Sequence, residues 1–91
     1  MNELLIPLRG TITGPDGKRY ASAVHGKEES GQWYGWIVHT PAGGGPPIRT
    51  DYETTQSTRE ALEYWAVGLE PVYLEGSIER ALDRGEARAS V

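Results

Sequence analysis

Ser57-Thr58-Arg59-Glu60-Ala61-Leu62-Glu63-Tyr64-Trp65-Ala66-Val67-Gly68-Leu69 is the stretch that settles the fold. Ser57 is placed to accept a hydrogen bond from the amide of Glu60. The Glu60 carboxylate can reach back to the amide of Ser57, so two orphan donors of a helix start are satisfied together. Leu62, Trp65, Ala66 and Leu69 fall at i, i+3, i+4 and i+7, one apolar stripe that must pack on something. The spacing predicts a helix over about 58–69, with Gly68 near its end. Pro71 suits the first turn of a second helix. Leu74, Ile78, Ala81 and Leu82 continue at helical spacing, and Gly85 is placed as a left-handed stop. A second helix is therefore predicted over about 71–84, with a frayed tail over 86–91. Val72–Glu75 also alternates as a strand would, but a strand there leaves Ala81 and Leu82 without a stripe.

The surface these helices need lies upstream. Leu8 to Thr13 alternates Leu8, Gly10 and Ile12 against Arg9, Thr11 and Thr13, a strand pattern. Gly14-Pro15-Asp16-Gly17 is turn chemistry. Lys18 to Gly26 resumes as a strand, with Tyr20, Ser22 and Val24 on one face and Ala21, Ala23 and His25 on the other. Lys27–Gly31 reads as a polar connection. Gln32 to Thr40 places Trp33, Gly35, Ile37 and His39 on one face and Tyr34, Trp36, Val38 and Thr40 on the other. Both faces are apolar, which fits a strand covered on each side. Pro41–Pro47, with Gly43-Gly44-Gly45 inside it, is a loop. Ile48 to Glu53 alternates as a fourth strand, and Pro46 and Pro47 limit how early it can pair. The expected architecture is α+β: an antiparallel meander of three to four strands spanning about 8–53, with two C-terminal helices on one face, in one domain over 1–91.

Composition narrows the function. The chain has 91 residues, a net charge of −4 and no cysteine. Disulfide frameworks, zinc–thiolate sites and thiol nucleophiles are excluded. Nine basic residues scattered against 13 acidic ones give no general footprint for a phosphate backbone. Three Trp and five Tyr without Phe give every aromatic a polar handle, as half-buried and interface positions use. The patch Leu4, Leu5, Ile6 and Leu8 is broken by Pro7 and too short for a signal peptide or a membrane span. The expectation is a cytoplasmic soluble protein with no membrane association.

Glu53-Thr54-Thr55-Gln56, Tyr64-Trp65-Ala66, Gly68-Leu69, Pro71-Val72-Tyr73-Leu74-Glu75-Gly76 and Arg80-Ala81-Leu82 form a string covering about a third of the chain. In these segments the chain resembles a group of small bacterial proteins of unknown function. The resemblance implies no activity and no catalytic roles. A looser likeness of topology, a helix following a short antiparallel meander, is to HicB-type antitoxins, and it rests on no matched motif.

The chemical constellations are thin. His25 and His39, with Asp51 or Glu53, are the residues from which a metal site or a general base could be built; ordinary strand histidines are the competing reading. Ser22 or Ser30 with a histidine and Asp51 nominally makes a triad, but no strained elbow surrounds either serine. Gly43–Gly45 lacks the Lys and Ser/Thr that follow a phosphate loop. Glu75 is a candidate for partial burial against Arg80 or Arg59. Glu53-Thr54-Thr55-Gln56 serves either to cap the helix start or to present hydrogen bonds to a ligand there. No catalytic residue, metal or cofactor is assigned.

The expected function is non-catalytic: an interaction or regulatory protein that self-associates or binds a protein partner through the sheet face carrying Tyr34, Trp36 and Val38. Glu53, Thr55 and Gln56 complete the candidate binding set. One alternative is a small-ligand or single-stranded nucleic-acid binder that uses the same rings with Arg9, Arg19 or Arg49. Another is a small hydrolase that joins His25 or His39 to a carboxylate.

Overall fold

A computed structural model describes residues 2–89, with side-chain surroundings for 2–84. The fold is α+β. Three long strands, β1 (Glu3–Thr13), β2 (Arg19–Glu29) and β3 (Gln32–Pro41), form an antiparallel meander. Two short strands, β4 (Ile48–Arg49) and β5 (Thr54–Gln56), both pair with the far side of β3. Helices α1 (Arg59–Val67) and α2 (Pro71–Ala89) follow. The residues over Val72–Ile78 are helical, as the stripe of Leu74, Ile78 and Ala81 requires. That helix continues through Gly85 to Ala89, so Gly85 does not stop it and 86–89 are not a tail; 90 and 91 lie outside the described residues.

β1 starts five residues earlier than the pattern suggested. Leu4, Ile6 and Leu8 continue the inward face toward Ile12, and Pro7 does not break the strand. Glu28 donates its amide to the Asn2 carbonyl across β1 and β2. By antiparallel alternation the amide positions of Glu3, Leu5 and Pro7 then point to the free edge. Proline therefore sits where no ladder donor is needed. It also blunts that edge, together with the irregularity between Pro7 and Thr11, where Gly10 has φ +74°. β2 runs on to Glu29, and Lys27–Glu29 is strand rather than connection. The turn is only Ser30-Gly31, with φ 53° and 77°, the left-handed pair that suits a two-residue hairpin.

The expected fourth strand over Ile48–Glu53 is interrupted by a side chain. Thr50 donates its amide to the Ile37 carbonyl at 2.9 Å, while its hydroxyl accepts from the Ile37 amide at 3.0 Å. That hydroxyl stands in for the backbone carbonyl a continuous ladder would supply, and it donates to Asp51 O at 2.7 Å. Asp51 and Tyr52 leave the sheet, and the Glu53 amide rejoins it on Gly35 O at 2.8 Å.

Both helices cover one face, here called inner. Val24, Ile37, Leu62, Ala66, Leu74 and Ile78 form its buried centre. Leu62 seats on two glycines, Gly26 and Gly35, which pair across β2 and β3. A Cβ on Gly35 would lie 2.7 Å from Leu62 Cδ1, and one on Gly26 would be closer still to Cδ2. α1 approaches the sheet closely only because neither residue has a side chain. The helix cap lies one residue later than the capping box implied. Thr58, extended at φ −139° and ψ 160°, accepts from the Ala61 amide at 3.0 Å.

Two outcomes follow. Gly35→Ala lowers unfolding free energy by about 1–3 kcal/mol, because Leu62 must lift off the sheet. Thr58→Ala lowers it by about 1 kcal/mol and Ser57→Ala leaves it nearly unchanged. Urea titrations of the three variants check both.

Candidate functional site

Among the described residues no helix lies over the outer face of the sheet. Cross-strand pairing arranges it in rows: Glu3, Lys27, Tyr34 and Thr55; then Leu5, His25 and Trp36; then Pro7, Ala23, Val38 and Arg49. Trp36 stands between neighbours on both sides. The His25 ring stacks on it from β2, with centroids 5.8 Å apart and planes at 29°. From β4, the Arg49 guanidinium lies 4.6 Å from the ring centroid, an attractive cation–π placement. Tyr52, carried out of the sheet by the break at Thr50, leans on Trp36 at 5.8 Å and on Tyr34 at 5.3 Å. Lys27 Nζ sits 5.4 Å from the Tyr52 ring and 3.2 Å from Glu29. Leu5 is 60% exposed and Tyr52 48% exposed. Burial and the nearby Arg49 charge lower the His25 pKa, so it is the neutral ring that stacks.

Of the expected binding residues, Tyr34, Trp36, Val38 and Thr55 share this face, because Thr55 pairs with Tyr34. Glu53 and Gln56 do not. Glu53 turns to the helix side, where it accepts from the Tyr73 hydroxyl at 2.5 Å and pairs with Arg80 at 2.6 Å. Its carboxylate ties the break after β4 to α2. Burial, then the Glu53 bond, raises the Tyr73 pKa. Gln56 donates to Thr54 Oγ1 at 2.7 Å. The Glu53–Gln56 segment neither caps α1 nor gathers at its start: 54–56 is strand β5. Sequence reasoning missed Leu5, Lys27 and Tyr52 and placed His25 in a different role. Leu5 and Lys27 were within reach of the alternation once β1 and β2 were extended.

The histidines lie on opposite faces, since His25 pairs with Trp36 and His39 with Ser22. Among the described residues no three His, Asp or Glu side chains converge as a metal site. His39 is fully buried on the inner face. Its Nδ1 is 2.7 Å from Ser22 Oγ, and its Nε2 is 2.9 Å from Ser77 Oγ on α2. Ser77 Oγ spends its proton on Leu74 O at 2.8 Å, so it must accept from His39 Nε2–H. That leaves Nδ1 to accept from Ser22. A neutral imidazole satisfies every group, and burial pushes the His39 pKa down to about 4. The nominal triad is thus half formed, but Ser22 is buried and Asp51 faces Arg84 rather than His39. Ser30 is the hairpin turn residue. Glu75 is exposed, and Arg80 belongs to Glu53.

No helix among the described residues is long and apolar enough to cross a membrane. Comparison with models of protein families, with curated proteins and with solved structures gives no match.

His39 gives a pH dependence. Its folded pKa, about 4, lies below the unfolded value of 6.5, so only the unfolded chain takes up the proton between the two. Stability is unaffected by His39 above pH 6.5, falls as pH drops through that window by roughly 3 kcal/mol, and levels off below it. Urea titrations against pH, with His39→Leu as the reference that lacks this slope, measure it. Histidine ring NMR should show His39 as the Nε2–H tautomer across the same range.

Proposed function

We propose that the chain is a non-catalytic interaction module that binds protein surface, a copy of itself or a partner, through the outer face of its sheet. One observation carries this reading: both helices lie on the inner face, and the opposite face keeps a contiguous set of Leu5, Trp36, Val38, Tyr34 and Tyr52 in reach of solvent. Tyr, Trp and Arg are the side chains that anchor protein interfaces.

Catalysis is poorly served. His39 and its two serine partners, Ser22 and Ser77, are sealed in the core, and among the described residues no acid hydrogen-bonds the imidazole. Base stacking is poorly served too. His25 and Arg49 already lie against the Trp36 ring, so a base stacking there has to displace one of them. Lys27 and Arg49 are accompanied on this face by Glu3 and Glu29, which weakens any pull on a phosphate backbone.

Photocrosslinking tests the face itself. A benzoylphenylalanine in place of Leu5, in cells, is expected to form a protein adduct, with itself or with another chain. The same group in place of Tyr64, exposed on α1, serves as the control. Absence of any adduct from position 5 at native abundance rejects the proposal.

A further inference from the structure

Building on the outer face as the binding surface, we infer that its occupant is a second copy of the chain. The two copies are related by a two-fold axis running across the strands, between the row Leu5–His25–Trp36 and the row Pro7–Ala23–Val38. The first row is a ridge: Trp36 and His25 stand stacked upon each other, and Leu5 projects beside them. The second is lower, a trough, where the small Ala23 stands between Pro7 and Val38, and it ends at Arg49, whose guanidinium leaves it to lie over Trp36. Successive rows on one face lie about 7 Å apart along the strands. A two-fold between them sets the ridge of each copy into the trough of the other. Trp36 then meets Val38 of the second copy, His25 meets Ala23, and Leu5 meets Pro7.

The charges agree with the same axis. Counting outward along β2, Lys27 falls opposite the uncharged Ala21, and Glu29 falls opposite Arg19, so no like charges meet along that strand; the two Arg49 side chains flank the axis at its exposed β4 end. Arg19 hydrogen-bonds the hydroxyls of Thr13 and Thr11 at the far end of this face, which holds it along the strand where Glu29 of the second copy arrives. A single patch that presents both halves of each contact is what an isologous pair requires.

The area fits a reversible dimer. Four strand positions about 4.8 Å apart and eight residues of about 3.4 Å give roughly 500 Å² per copy. The total of about 1,000 Å² is at the lower bound for a specific interface. The edge of β1 offers no competing route, because Pro7 interrupts its donors.

Sedimentation equilibrium across the micromolar range reads the outcome, with circular dichroism melts on every variant. The wild-type chain is expected to pass from monomer to dimer. Trp36→Val empties the ridge and Val38→Trp fills the trough, and each weakens association about tenfold or more. The double swap W36V/V38W moves ridge and trough together and restores association to within a few fold of wild type. Ala23→Arg, a change at a partly exposed position that keeps the fold, gives a monomer. Val72→Asp, on the exposed start of α2, leaves the dimer intact. A dimer that survives Ala23→Arg, or a double swap no better than the singles, overturns the two-fold pairing. A chain that stays monomeric while position 5 crosslinks to other proteins overturns self-pairing and leaves the outer-face reading standing. A monomer whose Trp36 fluorescence is quenched by single-stranded oligonucleotides in a salt-dependent way overturns it in favour of nucleic acid.

Discussion

The seat of Leu62 on Gly26 and Gly35 is the contact from which the rest of the arrangement follows. These two glycines pair across the two central strands and open a notch in the inner face. Only one helix can fill it, and it must come close enough for a leucine to touch backbone. With α1 fixed there, the short turn to Pro71 sends α2 across the sheet from β1 past His39 to β4. Both helices are thereby committed to one side. Among the described residues no further element lies over the other side. The open outer face is thus a consequence of where two side chains are missing.

The helices were legible because the stripes Leu62, Trp65, Ala66 and Leu74, Ile78, Ala81 are periodic. The β2 and β3 face assignments were legible for the same reason at period two. What could not be read were places where one side chain replaces backbone. Thr50 supplies the acceptor that Ile37 needs, so a clean alternation over Ile48–Glu53 breaks in two, and Tyr52 lands on Tyr34 and Trp36 instead of continuing a strand. Pro7 misled in the opposite sense. Proline ends a central strand but is harmless at an edge position whose amide points outward, and nothing local says which edge a strand will occupy. The cap moved from Ser57 to Thr58 because both residues can cap, and the choice is set by where β5 releases the chain. Within the candidate site, Tyr34, Trp36 and Val38 came from alternation alone and Thr55 from its polar string, whereas Glu53 was turned away by Tyr73 and Arg80, contacts made from a helix 20 and 27 residues on.

The inner face also carries a polar seam. Ser22, His39 and Ser77 link β2, β3 and α2 through one neutral imidazole. Buried polar groups are tolerated when every donor and acceptor is matched, and here the proton order is fixed by the single carbonyl of Leu74 at the end of the line. Replacing that seam by apolar groups would fill the same space, but it would not specify the rotation of α2 about its axis. A leucine seat positions a helix in depth; a directional hydrogen-bond line positions it in angle. With α1 seated by Leu62, the hydrogen-bond line holds α2 so that Tyr73 and Arg80 meet Glu53, and Glu53 in turn anchors the break that puts Tyr52 on the outer side. A contact on one face of the sheet thereby sets the shape of the other.

That coupling bears on how the outer face remains tolerable in water. An unpartnered aromatic face invites aggregation when its rings lie flat and bare. Here His25 stacks on the Trp36 ring, Arg49 lies over it, and Lys27 and Arg49 sit against Tyr52. The cations bring hydration to the rings they lie against. A partner sheet docking on such a surface desolvates ring edges and aliphatic groups but does not have to strip either guanidinium or ammonium from water completely, since both lie to the side of the ridge. The cost of burying charge is thus kept low, and the directional part of recognition falls to shape, the height of Trp36 against the shallowness of Ala23. For a small protein with a thin core, that division lets one face stay exposed without unfolding the other and still distinguish a matching surface from an indifferent one.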